Sequence, residues 1–327
     1  MSLPTHFTLS NGLKLPSIGL GTWQSQPGEV RAAVAHALKS GYRHIDCAHA
    51  YGNETEVGQG IKDSGVPRKD IWVTSKLFET HHRPEYVAPA LKNTLKELGL
   101  DYLDLYLMHW PLAFEPEVPS DGSLPSRNGV KDASGKTKTD VAMSNNHEAT
   151  WRELEKLVDQ GLVKSIGVSN FNIRRLRELL SYARIKPVTD QVELSMTCPQ
   201  PELVAWLQKN DIVPQAYSPL GGAGAKGTSL EIVEKLSKKH DCSPANVILS
   251  WLVGRGCNPL PKSVTDSRIT ANQKLVNLSK EDVDSLTKFS TENPVVRVCD
   301  QTEDVTPRFD IFEENHPEHN DKAQALL

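Results

Sequence analysis

Long apolar runs, paired cysteines and an excess of either charge are all missing from the 327-residue sequence. No segment approaches the roughly 20 apolar residues that a bilayer-spanning helix needs. The opening MSLPTHFTLSNG has neither a basic cluster nor an apolar stretch of the kind that directs secretion. A cytoplasmic protein is expected, with no membrane partner. The five cysteines (Cys47, Cys198, Cys242, Cys257, Cys299) are odd in number, widely spaced and never form Cys-x-x-Cys. That pattern disfavours both a disulfide scaffold and a zinc cluster. With 37 basic against 41 acidic residues and a net charge of −4, no strong field is present to draw nucleic acid. A Walker A loop, a His-Glu-x-x-His pair and a calcium loop are likewise missing, and the histidines, the adjacent His81 and His82 included, lack ligand spacing. No metal is expected.

What the chain does have is a regular alternation of strand and helix signals. A small hairpin, with Asn11-Gly12 at its turn, precedes the repeat and reads as an added lid. Strands are expected near 18–20, 43–46, 71–75, 103–108, 165–168, 188–192, 212–216 and 258–260. Helices are expected at 29–40, 54–63, 85–98, 148–160, 174–182, 202–209, 230–239 and 245–253, with two more near Arg268 and Glu281. Eight βα units in one chain of this length, with no linker-like shift in composition, predict α/β architecture: a single (β/α)8 TIM barrel spanning 1–327. Residues 111–147, rich in Pro, Ser, Gly and Lys, read as an active-site loop at the C-terminal face. Residues 292–327 read as a C-terminal tail, partly folded over the barrel mouth and loose over about its last ten residues.

A barrel gathers the C-terminal ends of its strands at one mouth. Here those ends are polar: Asp46, Lys76, His109, Ser169 with Asn170, Gln191, Tyr217 with Ser218, and Lys262 with Ser263. Singly, each has an ordinary structural explanation, as a turn former, a satisfied loop histidine or a surface charge. Jointly, an acid, a phenol (Tyr51), a lysine and a histidine at one mouth suit proton donation to a carbonyl. Asp46 would anchor Lys76, the ammonium of Lys76 would lower the ~10 pKa of Tyr51, and His109 would orient the substrate oxygen. A Schiff base on Lys76 is the mechanistic alternative. No Ser or Cys nucleophile stands beside a convincing base.

After the eighth strand, Lys262, Ser263, Thr265 and Arg268 place two cations and two hydroxyls at a helix start, a set suited to a phosphate monoester; a capped helix with a solvated basic face is the plainer reading. A phosphate on the adenosine 2′ position would imply NADPH over NADH. Gly222 to Gly227 matches G-x-G-x-x-G but lacks the second βα unit ending in an acid, so it reads as a loop near the pyrophosphate and not as a Rossmann turn.

The stretch GYRHIDCAHAYGNETEVG (41–58), with LMHWP (107–111), KSIGVSNF (164–171) and LPKSVT (260–265) following in order, resembles the aldo-keto reductases. The likeness runs from about residue 8 to 277. It looks closest to fungal aldehyde reductase and glycerol dehydrogenase-like members, and extends to TPRFD (306–310). The resemblance implies that Asp46, Tyr51, Lys76 and His109 form a catalytic tetrad. It also implies that Ser169, Asn170 and Gln191 hold the nicotinamide amide while Tyr217 stacks on its ring. Thr22, Ser218 and Leu220 would complete the middle of the cofactor site, and Lys262, Ser263, Val264, Thr265, Arg268 and Asn272 would bind the adenosine end of NADPH. Trp23 and Trp110 would wall the substrate pocket. The implied reaction is metal-free hydride transfer from NADPH to an aldehyde or ketone by a monomer or weak dimer. An NADPH-binding redox sensor with little turnover is the alternative. Departures from the family pattern are Ala271 in place of a glutamate, SMTC at 195–198 in place of a His-Pro run, and a short 221–226 loop.

Overall fold

The computed structural model describes residues 2–326. Eight short parallel strands form one sheet: β1 (Leu20–Gly21), β2 (His44–Asp46), β3 (Trp72–Leu77), β4 (Leu105–Met108), β5 (Ile166–Ser169), β6 (Thr189–Glu193), β7 (Val213–Tyr217) and β8 (Asn258–Pro259). Each strand pairs with its neighbour in chain order. The sheet closes on itself where the Gly19 N–H donates to Pro259 O and the Gly21 N–H to Pro261 O, and Gly21 bridges Lys262. The result is a (β/α)8 barrel.

Helix punctuation follows the glycines. Gly41 at φ +117° ends the Glu29–Ser40 helix and Gly99 at φ +65° ends Pro84–Leu98, each in the left-handed region that costs other residues most. The core lies between strands and helices, where Leu38, Ile45, Val73, Leu91, Trp151 and Trp251 are fully buried. Each such side chain contributes roughly 1.5–3 kcal/mol. At Gly58 a Cβ would run into the backbone carbonyl of Leu98, so the helix Glu54–Ser64 packs on the next one only because this position has no side chain.

One expectation needs correction, along with the role given to the hairpin. His6–Thr8 and Lys14–Pro16 do pair antiparallel, but Leu9 and Leu15 pack with Trp72, Leu105 and Val188 at the strands' N-terminal ends. The hairpin therefore plugs the barrel base, opposite the mouth. The 111–147 loop is ordered: Thr137–Lys138 pairs in parallel with Val305–Thr306, a short helix spans Val141–Asn145, and Trp110, Leu112 and Phe114 share an apolar cluster with Phe309, Ile311 and Phe312. The tail folds back as expected, but its last ten residues, expected to be loose, hold a short helix. Glu313 accepts from Arg174 at 2.7 Å and Asn172 at 2.8 Å, and Asp321, opening the Asp321–Gln324 helix, caps the Ile173 N–H at 2.7 Å. These contacts join residues more than 130 apart, which local periodicity does not encode.

Candidate active site

Three strand ends and one loop turn bring the chemistry to the barrel mouth. β2 ends at Asp46, and the chain then forms a single 3-10 turn, His49–Tyr51, closed by Gly52 at φ +67°. That turn swings Tyr51 back over the strand ends. Lys76 rises from β3, and His109 follows β4 directly.

Lys76 is completely buried, and its three protons have three acceptors: Asp46 Oδ2 at 2.7 Å, Cys47 O at 2.9 Å and Tyr51 Oη at 3.3 Å. Burial alone would lower its pKa, but the Asp46 carboxylate and the Tyr51 oxygen outweigh it and hold the amine as ammonium. An amine kept protonated and fully hydrogen-bonded is a poor nucleophile, which removes the Schiff-base alternative.

Tyr51 departs from the sequence expectation. Enclosure raises the phenol to about 12, and the Lys76 ammonium offsets this only in part. In the free protein desolvation wins, and Tyr51 keeps its proton at neutral pH. Burial, with Lys76 and His82 nearby, holds His109 well below the usual imidazole range, so its ring is neutral. The Tyr51 and His109 rings stand 6.0 Å apart, edge to face.

These residues open onto a cleft of about 770 Å³. Of the expected site residues, Thr22, Trp23, Asp46, Tyr51, His109 and Trp110 line it, as do Ser169, Asn170, Gln191, Tyr217, Ser218 and Leu220, and at its far end Lys262, Ser263, Val264 and Arg268. Lys76 lies beneath. Thr265 stands behind, accepting from Arg268 at 2.7 Å, and Asn272 is buried at the end of the Asp266–Asn272 helix, outside the lining. Gly222 and Gly224, both at positive φ, run along the cleft in a turn.

The middle of the cleft is braced by hydrogen bonds. Gln191 donates to Asp46 Oδ1 at 2.8 Å, Thr22 to Asp46 O at 2.9 Å, and Tyr217 to Asn170 Oδ1 at 2.8 Å, while Asn170 Nδ2 donates to His109 O at 3.0 Å. At the far end Lys262 donates to the backbone carbonyl of Gln24, and among the described residues neither Lys262 nor Arg268 has a carboxylate within 4.0 Å. Two cations without counterions beside Ser263 fit a phosphate.

Sequence reasoning passed over Phe78, Glu79, Phe114, Cys299 and Gln301, all of which line the cleft. Phe78 and Glu79 follow the end of β3, so the rule that picked Asp46 and His109 applies to them equally. Cys299 and Gln301 come from the tail, where no periodic signal marks them.

Residues 17–291 match the aldo/keto reductase family. The chain is 47% identical over 277 residues to aldo-keto reductase family 1 member A1 of Bos taurus, covering 81% of this chain and 82% of the bovine protein. It is 43% identical over 309 residues to glycerol 2-dehydrogenase (NADP(+)) of Saccharomyces cerevisiae, covering 94% and 95%. Among solved structures, the aldose reductase from Schistosoma japonicum superposes with a TM-score of 0.82 at 38% identity, covering 98% of each chain.

Proposed function

The chain belongs to the aldo/keto reductase family, and from that premise we propose that it reduces an aldehyde or ketone to the alcohol, with NADPH as hydride donor and Tyr51 as proton donor. The observation that carries the reading is the contact of a protonated Tyr51 with a buried, Asp46-anchored ammonium 3.3 Å away.

When bound, NADPH would supply the hydride that reduces the carbonyl carbon. Every other part belongs to the protein. Ser169, Asn170 and Gln191 would hold the nicotinamide end, Tyr217 would offer a ring face, and Lys262, Ser263 and Arg268 would take the adenosine phosphate. As the carbonyl oxygen gains negative charge it becomes far more basic than phenolate, so Tyr51 gives up its proton despite the raised pKa. The Lys76 ammonium stabilises the phenolate that remains, and Asp46 keeps that ammonium in place. Neutral His109 donates a hydrogen bond that orients the carbonyl. Trp23, Trp110 and Phe114 exclude water from the reacting atoms, which strengthens each of these interactions.

The partner is a small carbonyl or alcohol molecule, and the chain acts as a monomer or weak dimer. All five cysteines are free, which suits the reducing cytoplasm. Among the described residues no helix is long and apolar enough to cross a membrane. The experiment is NADPH oxidation, followed by absorbance, against glyceraldehyde and an aromatic aldehyde, with NADH in parallel. Turnover that prefers NADPH supports the reading. Tight NADPH binding without turnover on a broad carbonyl panel would instead favour a redox sensor.

A further inference from the structure

One wall of the cleft contains a carboxyl that the proton chemistry does not use. Glu79 opens the short turn Glu79–His81 after β3, lines the cleft and is only 1% exposed. Its surroundings are aromatic: Phe78 stacks edge-on against Phe114 at 6.0 Å, and Trp110 lies on the same wall. One oxygen, Oε1, accepts from Gln301 Nε2 at 3.5 Å, the outer limit of a hydrogen bond, while Oε2 has no partner among the described residues. Among the described residues no cation comes within 4.0 Å of it.

A buried carboxyl with half its capacity unused is costly, and the long contact from Gln301 offsets little of that cost. Among the described residues the Phe114 N–H donates to Glu79 O at 3.0 Å, a backbone bond that any side chain would preserve. The polar side chain is instead placed on the wall that a bound carbonyl compound must face. Gln301 reaches the same wall from the C-terminal segment, where Asp300 also lines the cleft. Two independent parts of the chain thus supply polar groups to an otherwise aromatic surface.

We propose that Glu79, positioned by Gln301, is a specificity-determining residue that hydrogen-bonds a hydroxyl group of the substrate and so selects hydroxylated carbonyl compounds over their hydrocarbon counterparts. The inference rests on the carbonyl-reductase reading and names its substrate class. Burial pushes the Glu79 carboxyl up to about 8, so near neutrality it holds a proton and offers a donor as well as an acceptor, which matches a hydroxyl on either side.

The test compares glyceraldehyde with 2-methylbutanal, which has methyl groups where glyceraldehyde has hydroxyls, in wild type, Glu79→Leu and Glu79→Gln. The quantity read is the ratio of kcat/KM for the two aldehydes. Wild type favours glyceraldehyde, and Glu79→Leu lowers the ratio by roughly 10- to 100-fold, mainly through the KM for glyceraldehyde, because a lost hydrogen bond and a stranded hydroxyl both count against it. Glu79→Gln, which still offers donor and acceptor, keeps the ratio within a few-fold of wild type. Equal losses on both aldehydes in Glu79→Leu, or an unchanged ratio, overturn the inference while leaving the reductase reading standing. A wild-type preference for 2-methylbutanal overturns it without any variant. Failure of the wild type on both aldehydes overturns this inference, and failure across the broad carbonyl panel overturns the reductase reading with it.

Discussion

Replacing Lys76 by Met keeps the length of the side chain and removes its charge. Asp46 and Lys76 meet at 2.7 Å with both side chains almost wholly buried. At an effective dielectric near 20 their attraction is about 6 kcal/mol, set against the desolvation of both ions. In the intact pair these terms largely offset one another. In Lys76→Met the attraction vanishes while the desolvation of Asp46 remains, and among the described residues only the Gln191 amide still bonds that carboxylate. The expected loss is about 3–5 kcal/mol, the usual result of stranding a buried charge. The double variant Asp46→Asn/Lys76→Met carries no stranded charge and should recover at least half of that loss. Urea denaturation at neutral pH, followed by circular dichroism and tryptophan fluorescence together, gives both values. A single variant that loses less than about 1 kcal/mol, or a double variant no more stable than the single, would refute the claim that the pair is a mutually dependent buried ion pair.

Tyr51→Phe should lower kcat by roughly 10² to 10⁴-fold while NADPH binding, measured by fluorescence titration, stays near wild type; comparable losses in both would remove Tyr51 from proton transfer. Arg268→Ala should weaken NADPH by about 10- to 100-fold, the value of one charge-assisted contact, and leave NADH almost unchanged, which paired KM measurements would detect. The Glu79 carboxyl, raised by burial from 4.5 to about 8, binds a proton in the folded state that the unfolded chain has already released. Stability should therefore fall as pH rises from about 4.5 to 8, and Glu79→Gln should flatten that slope in urea titrations across the range. Gly58→Ala should destabilise by about 1–3 kcal/mol, because the added methyl group meets Leu98 backbone and not a side chain that can move; an unaffected melting midpoint would show that the helices separate freely.

Much of the barrel is written locally. The 3.6-residue and two-residue periods, with Gly41 and Gly99 as stops, mark the repeat, and polar residues at strand ends mark the mouth. Asp46, Tyr51 and His109 line one cleft because barrel topology brings strand ends together wherever they fall in the chain, and Lys76 reaches Tyr51 from below. The pairing of Thr137–Lys138 with Val305–Thr306 and the seating of the tail on Asn172 and Arg174 were not legible. Those contacts depend on two segments without periodicity finding each other across the chain. Glu79 was missed for another reason: Lys76 had already been taken as the polar end of that strand, and burial with an unpartnered oxygen is what marks the residue two positions past Leu77. The direction of the Tyr51 shift also needed the structure, since Lys76 and enclosure act in opposite senses and sequence does not weigh them.

The most direct test is to supply NADPH deuterated at the transferable position of the nicotinamide and analyse the alcohol formed from glyceraldehyde by mass spectrometry. The proposed chemistry predicts one deuterium on the former carbonyl carbon for each NADPH consumed, and labelled alcohol formed roughly 10² to 10⁴-fold more slowly by Tyr51→Phe. Unlabelled alcohol, or label transferred equally well by Tyr51→Phe, would contradict it.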